Sequence, residues 1–217
     1  MSRYTMNEDV FTAYEAPHAS LLTVIDGGGG SSSGRAASIL SALLLERALD
    51  QQVLDDPDGH PTPQSLDILL TRINRALVAQ GGQWVDEEGS AIRLFGTIAG
   101  VCFLQNEEGE AERMITFARG DARVLVIREG AILQDASSWF ENQAGVLALG
   151  KNDPSLYWDA YRDHHSRLWS GLGVSQDAWN GAVQEPWKNT ARVINVQKGD
   201  IVLLYTDGVG DVVTDFE

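Results

Sequence analysis

Two aspartates in the sequence, each followed by glycine, come at the ends of apolar runs with the composition of buried strands. Asp26 directly follows residues 21–25, and Asp207 follows residues 201–205 after the single residue Thr206. A carboxylate beside a backbone carbonyl at a strand end offers the oxygen ligands that Mg²⁺ and Mn²⁺ prefer. Two strands that end in this way indicate a shared rim. The sequence therefore predicts a divalent-cation site, while a plain turn is the other interpretation of each pair.

Further acids lie in two other turns. Glu8 and Asp9 precede a short predicted strand, and Asp121 lies between two predicted strands. A cluster of like charges is unfavourable unless cations neutralise it. These acids therefore strengthen the prediction of a cation site.

The glycine-rich run at residues 27–34 can be compared with two nucleotide-binding motifs, and its sequence matches neither. A Walker loop needs Lys and then Ser or Thr after its last glycine, but Arg35 and Ala36 follow Gly34. A dinucleotide fingerprint needs a third glycine where this chain has Ser32. The cation site is the better interpretation of this region.

Two amphipathic helices are expected after the glycine run. Apolar residues recur at helical spacing over residues 36–48. A second helix is predicted from Thr62 as its N-cap, with Pro63 in the first helical position, to Gly81. Together the two helices can cover one face of a sheet.

The pattern becomes β from residue 96. Strands are predicted at residues 97–104, 114–118 and 124–127, and we interpret them as antiparallel strands linked by hairpins. Residues 192–196 and 201–205 make a last predicted hairpin.

A tryptophan-rich stretch at residues 151–189 lacks clear periodicity, and we interpret it as a flap or insertion. Its tryptophans are expected to pack within it: Trp158, Trp169, Trp179 and Trp187. The pair His164 and His165 has two interpretations, as a proton donor to a leaving group or as structural residues.

Five short motifs, in order along the chain, carry a resemblance to a known family. They are Asn7-Glu8-Asp9, the block at residues 24–38 around Asp26-Gly27, Gly96-Thr97, Gly120-Asp121-Ala122-Arg123, and residues 199–211 with Asp207-Gly208 and Asp211. The set resembles the metal-dependent protein phosphatases, that is, the type 2C serine/threonine phosphatases. The resemblance implies an α+β fold, a four-layer αββα sandwich of two antiparallel sheets flanked by helices.

The resemblance also implies a centre of two Mn²⁺ or Mg²⁺ ions, with a third possible. Asp26 would bridge the two ions, and Gly27 would contribute its carbonyl oxygen. Glu8 would bind one ion and Asp207 the other. Asp121 matches a position associated with the third ion.

Catalysis, by the same resemblance, would be hydrolysis of phosphoserine or phosphothreonine by a metal-bound hydroxide. Asp9 would hold a metal-bound water, and Arg3 would bind the phosphate. The implied partners are a phosphoprotein substrate and a kinase or regulatory protein.

The resemblance covers residues 1–217 as one domain, but the family's final G-D-N element does not follow Asp211 before the sequence ends at Glu217. This predicts a truncated C-terminal end. It also leaves an alternative function, a non-catalytic or weakly active phosphatase-like module that binds or regulates with an incomplete metal centre.

Composition limits the other function classes. The 217 residues carry a net charge of −15, which disfavours binding to nucleic acid or anionic membranes. The single cysteine, Cys102, lies in an apolar run and is expected to be a buried thiol. Because the sequence shows neither a signal peptide nor a membrane-spanning run, a cytoplasmic location is expected.

Overall fold

The computed structural model describes residues 7–16, 18–28, 32–50, 61–85, 88–136, 171–173 and 191–207. The helices and strands in chain order are β1 (Val10–Ala16), β2 (Ala19–Gly27), α1 (Ser32–Asp50), α2 (Pro63–Gly81), β3 (Gly96–Gln105), β4 (Ala111–Arg119), β5 (Arg123–Arg128), β6 (Ala131–Ala136), β7 (Arg192–Asn195) and β8 (Ile201–Tyr205).

The strands form two antiparallel sheets. The larger sheet has the order β1-β2-β3-β4-β7, and the smaller has the order β6-β5-β8. Alanine and valine side chains, among them Ala118 and Val124, are buried between the sheets. The predicted α+β class with two packed antiparallel sheets is confirmed. Helices for a fourth layer are not among the described residues.

Two of the predicted hairpins are wrong. β3 and β4 do pair with each other, but β5 leaves β4 and lies between β6 and β8 in the smaller sheet. Likewise β7 pairs with β4, whereas β8 pairs with β5. At both places the chain crosses from one sheet to the other, which lets the apolar faces of consecutive strands pack against each other across the sandwich.

The two helices pack on the outer face of the larger sheet, as predicted. α2 begins as expected, with Pro63 in its first turn and Thr62 as N-cap in a reciprocal capping box with Ser65. One face of α2 buries leucines such as Leu66 and Leu77 in the core under the helices. None of the described helices is long and apolar enough to cross a membrane.

Two polar side chains are buried in the larger sheet. Arg119, the last residue of β4, is fully buried and donates a 2.7 Å hydrogen bond from Nη2 to Asp67 Oδ1 on α2. Cys102 is buried, as predicted, and burial raises its thiol pKa to about 12.

Only residues 171–173 of the predicted flap are described. Leu172 is fully buried in the core under the helices and forms a backbone bridge with Gly96. The flap's four tryptophans, together with His164 and His165, lie outside the described residues.

Candidate metal centre

The strand register brings the predicted ligands to one end of the sandwich. In the larger sheet Asp26 pairs with Thr97, one residue from the start of β3. In the smaller sheet Arg123 pairs with Tyr205. Asp121 precedes the first of these residues by two positions, and Asp207 follows the second by two. Both acids therefore lie at the same end of the sandwich as Asp26, which is near the C-terminal end of β2.

The carboxyl group of Asp26 is at the centre of this acidic cluster. Burial raises its pKa, and the negative charges of Asp207, Asp9 and Asp121 raise it further, to about 8. A hydrogen bond between the side chains of Asp26 and Asp207 acts in the same direction. The structure thus brings together four of the predicted site acids, since like charges have this effect only at short range.

Asp121 is in a similar environment. Burial, followed by the charge of Asp207, raises its pKa to about 6, although a backbone hydrogen bond, the Thr97 hydroxyl and Arg123 act in the opposite direction. Thr97 lies close enough to influence Asp121, but neither Thr97 Oγ1 nor Asp121 Oδ1 makes a well-aligned hydrogen bond. Two buried oxygens therefore lack hydrogen-bond partners within the described structure.

Glu8 and the Gly27 carbonyl approach each other at Gly34, near the start of α1. A Cβ atom on Gly34 would collide with Glu8 Oε2 and would stand 2.6 Å from the Gly27 carbonyl oxygen. The turn that carries Glu8 is fixed by a hydrogen bond from the Asp9 amide to Asn7 Oδ1 and by Arg35, which donates to the Asn7 carbonyl. Two predicted oxygen ligands thus face one point that only glycine leaves open.

The donor set fits a hard divalent cation. It consists of carboxylate and carbonyl oxygens, and the repulsion among its acids is of the kind that a cation relieves. Within the described residues, however, no three acidic, histidine or cysteine side chains are grouped closely enough to hold a metal ion.

The remaining predicted site residues are placed less fully. Asp207 is exposed and is the last described residue of the chain, while Arg3 lies outside the described residues. Gly34 and Phe95 are contact residues of the site to which sequence reasoning assigned no role. The run of glycines gave a signal for Gly34. Phe95 packs against Gly28, next to the predicted ligand Gly27, through a tertiary contact that no motif encodes.

No protein-family model and no curated protein match the sequence. Solved structures match over nearly the whole chain. The serine/threonine phosphatase from S. agalactiae is 17% identical with a TM-score of 0.64, and the match covers 97% of this chain and 77% of that one. The catalytic domain of the serine/threonine protein phosphatase PstP, in complex with two manganese ions, is 23% identical with a TM-score of 0.63, covering 99% and 76%.

Stp1 from Staphylococcus aureus, a serine/threonine phosphatase, is 21% identical with a TM-score of 0.64, and the match covers 97% of this chain and 74% of that one. These identities establish the fold. The resemblance predicted from the five motifs is confirmed at this level: the chain has the fold of the bacterial type 2C serine/threonine phosphatases.

Proposed function

We propose that the protein is a Mn²⁺- or Mg²⁺-dependent phosphatase that hydrolyses phosphoserine or phosphothreonine in proteins. The observation that carries the proposal is the acidic cluster around Asp26, whose carboxyl pKa is raised to about 8 by burial and by three other acids. The cluster lies at the place where the five motifs predict a metal centre. The similar fold of PstP, which binds two manganese ions, supports the same interpretation.

Five residues would hold the cations. Asp26 would contact both ions, with the Gly27 carbonyl, Glu8 and Asp207 completing the first two sites and Asp121 serving a third. Bound divalent cations lower the pKa of water and stabilise the charge on a phosphoryl group under in-line attack. No nucleophilic side chain is required of the protein.

The chain's own residues prepare the site. Burial of the Asp26 carboxyl and the negative charges of Asp207, Asp9 and Asp121 raise its pKa, so the metal-free centre favours a protonated Asp26. A cation must displace that proton. Asp9, fixed through Asn7, would orient a water, and Arg3 would bind the phosphate of the substrate.

The decisive experiment compares the chain with Asp26→Ala in hydrolysis of phosphoserine and phosphothreonine peptides, with Mn²⁺ or with EDTA. We expect Mn²⁺ to raise the melting temperature and support hydrolysis, and Asp26→Ala to remove both effects. Glu107→Ala is the matched control, because Glu107 is an exposed acid in the turn after β3 and its loss changes the net charge by the same amount.

Two results would contradict the proposal. If Asp26→Ala keeps the full Mn²⁺ response, the site is wrongly assigned. If phosphopeptides bind but are not hydrolysed at any Mn²⁺ concentration, the alternative of a phosphatase-like binding module is correct. The cytoplasmic location and the kinase or regulatory partner stay predictions from the sequence.

A further inference from the structure

The aromatic ring of Phe95 fills the space between two glycines from distant parts of the chain. A Cβ atom on Gly28 would collide with Phe95 Cδ1, on one edge of the ring. A Cβ atom on Gly171 would stand 2.6 Å from Cε2 and 2.8 Å from Cζ, on the other side. The ring therefore packs directly against both backbones, and neither position has room for a side chain.

The glycine on the first edge belongs to the proposed metal loop. Gly28 follows Asp26 and Gly27, which would supply a carboxylate and a carbonyl oxygen. The Gly28 amide also donates a 3.0 Å hydrogen bond to the Phe95 carbonyl. The same residue thus fixes the loop twice, once through its backbone and once through its ring.

The glycine on the other edge belongs to a rigidly attached segment. Leu172 exchanges two backbone hydrogen bonds with Gly96, of 2.7 and 3.1 Å. The Gly173 amide donates a 2.7 Å hydrogen bond to Oδ1 of Asn74, a buried residue of α2. Residues 171–173 are therefore held by both β3 and α2, and they give the ring a firm support opposite the loop.

We propose that Phe95 is a positioning residue for the metal loop: supported by Gly171, its ring holds the Gly28 backbone so that Asp26 and Gly27 present their oxygens to the cation. This inference rests on the proposed function. It concerns a loop that is already ordered before the cation binds. A loop that becomes ordered only on binding lowers the affinity, because the ordering costs free energy.

The test measures the Mn²⁺ concentration at half-saturation by calorimetry and by thermal shift, for the full chain and for Phe95→Leu and Phe95→Ala. We expect this concentration to rise about 10-fold or more, the usual loss when residues that orient metal ligands are removed. Hydrolysis at saturating Mn²⁺ should recover most of its kcat, because the Phe95 ring has no atom that could bind the cation or a phosphate group.

Phe117→Leu is the matched control. Phe117 is a buried phenylalanine that, like the half-buried Phe95, leaves no room for a Cβ on the glycine facing it, here Gly100, but that contact lies within the larger sheet. Its replacement should lower the melting temperature without changing the Mn²⁺ concentration at half-saturation.

A double substitution tests whether the ring and the loop act through one contact. Gly28→Ala alone should weaken Mn²⁺ binding because its methyl group displaces the ring. Gly28→Ala combined with Phe95→Ala should be no weaker than Phe95→Ala alone. Additive losses in the double variant would overturn the proposal.

The outcomes separate this inference from the proposed function. If the unmodified chain shows no Mn²⁺ response, both fail. If it responds and Phe95→Leu changes only the melting temperature, as Phe117→Leu does, then Phe95 is merely structural and the proposed function stands.

Discussion

At the two ends of the smaller sheet, aspartates lie in opposite electrostatic environments. At the end near Asp26, several aspartates lie close to one another, and partial burial together with their charges raises the pKa of Asp26 to about 8. At the other end, Asp200 accepts two 2.8 Å hydrogen bonds from Arg128, one from Nε and one from Nη2. These bonds, together with one from the Gln197 amide, lower the pKa of Asp200 to about 2.

The difference lies in where the compensating charge comes from. Asp200 is neutralised by an arginine of its own fold, and Arg128 also donates a 2.9 Å bond to the Asn195 carbonyl, which ties the turn before β8 to β5. At Asp26 every influence on the carboxyl pKa, burial and three acids alike, raises it. The first arrangement is neutralised within the folded chain, while the second is the one that the proposed cation would neutralise.

The largest effect is expected from closing the space beside Glu8. Gly34→Ala would place a methyl group against Glu8 Oε2 and the Gly27 carbonyl, so Mn²⁺ affinity should fall by about 10- to 100-fold. Isothermal calorimetry measures this loss.

Gly82→Ala is a control for Gly34→Ala, because a Cβ there meets no atom closer than 3.5 Å. In a helix such as α1, alanine is more favourable than glycine by roughly 1 kcal/mol. A Gly34→Ala protein that gains stability and binds Mn²⁺ normally would therefore show that this space has no role in the site.

The next effect is a change in melting temperature, which should have opposite signs in two matched substitutions. In EDTA at pH 8, Asp26→Asn should raise the melting temperature, on the order of 2–4 °C for each 1 kcal/mol of repulsion removed. Asp200→Asn should lower it, since Arg128 loses a charged partner. Thermal denaturation of both variants measures the comparison, and a loss of stability in both would mean that the acidic cluster is not repulsive.

The last effect is the pH dependence of the metal-free chain. The folded pKa values of Asp26 and Asp121, about 8 and about 6, exceed the unfolded value near 3.8, so their contribution to stability declines as the pH rises from about 4 to 8. Asp200, with a folded pKa of about 2, contributes fully above about pH 4 and loses its contribution as the pH falls below that.

Urea denaturation in EDTA from pH 3 to pH 9 would measure both limbs of this dependence. Saturating Mn²⁺ should remove the decline in the free energy of unfolding at high pH and leave its decline at low pH unchanged. A high-pH decline that persists in Mn²⁺ would show that the cation does not bind at these acids.

Local patterns in the sequence predicted most of the elements. The spacing of Thr62 and Pro63 gave the start of α2, and the run ending at Asp26 gave β2, because capping and strand burial depend on neighbouring residues. The prediction of a hairpin between β7 and β8 was wrong because each of these strands pairs with a strand that lies far away in the sequence. The contact of Phe95 with Gly28 and Gly171 was missed for the same reason.

The crossings between the two sheets have a consequence for synthesis of the chain. The proposed ligands run from Glu8 to Asp207, and Asp121 and Asp207 reach the centre only after β5 and β8 have paired in the smaller sheet. Contacts so distant in sequence form slowly. We therefore expect a ribosome-bound chain to expose these acids long before the proposed centre is complete, so the proposed cation would stabilise the finished sandwich rather than guide its assembly.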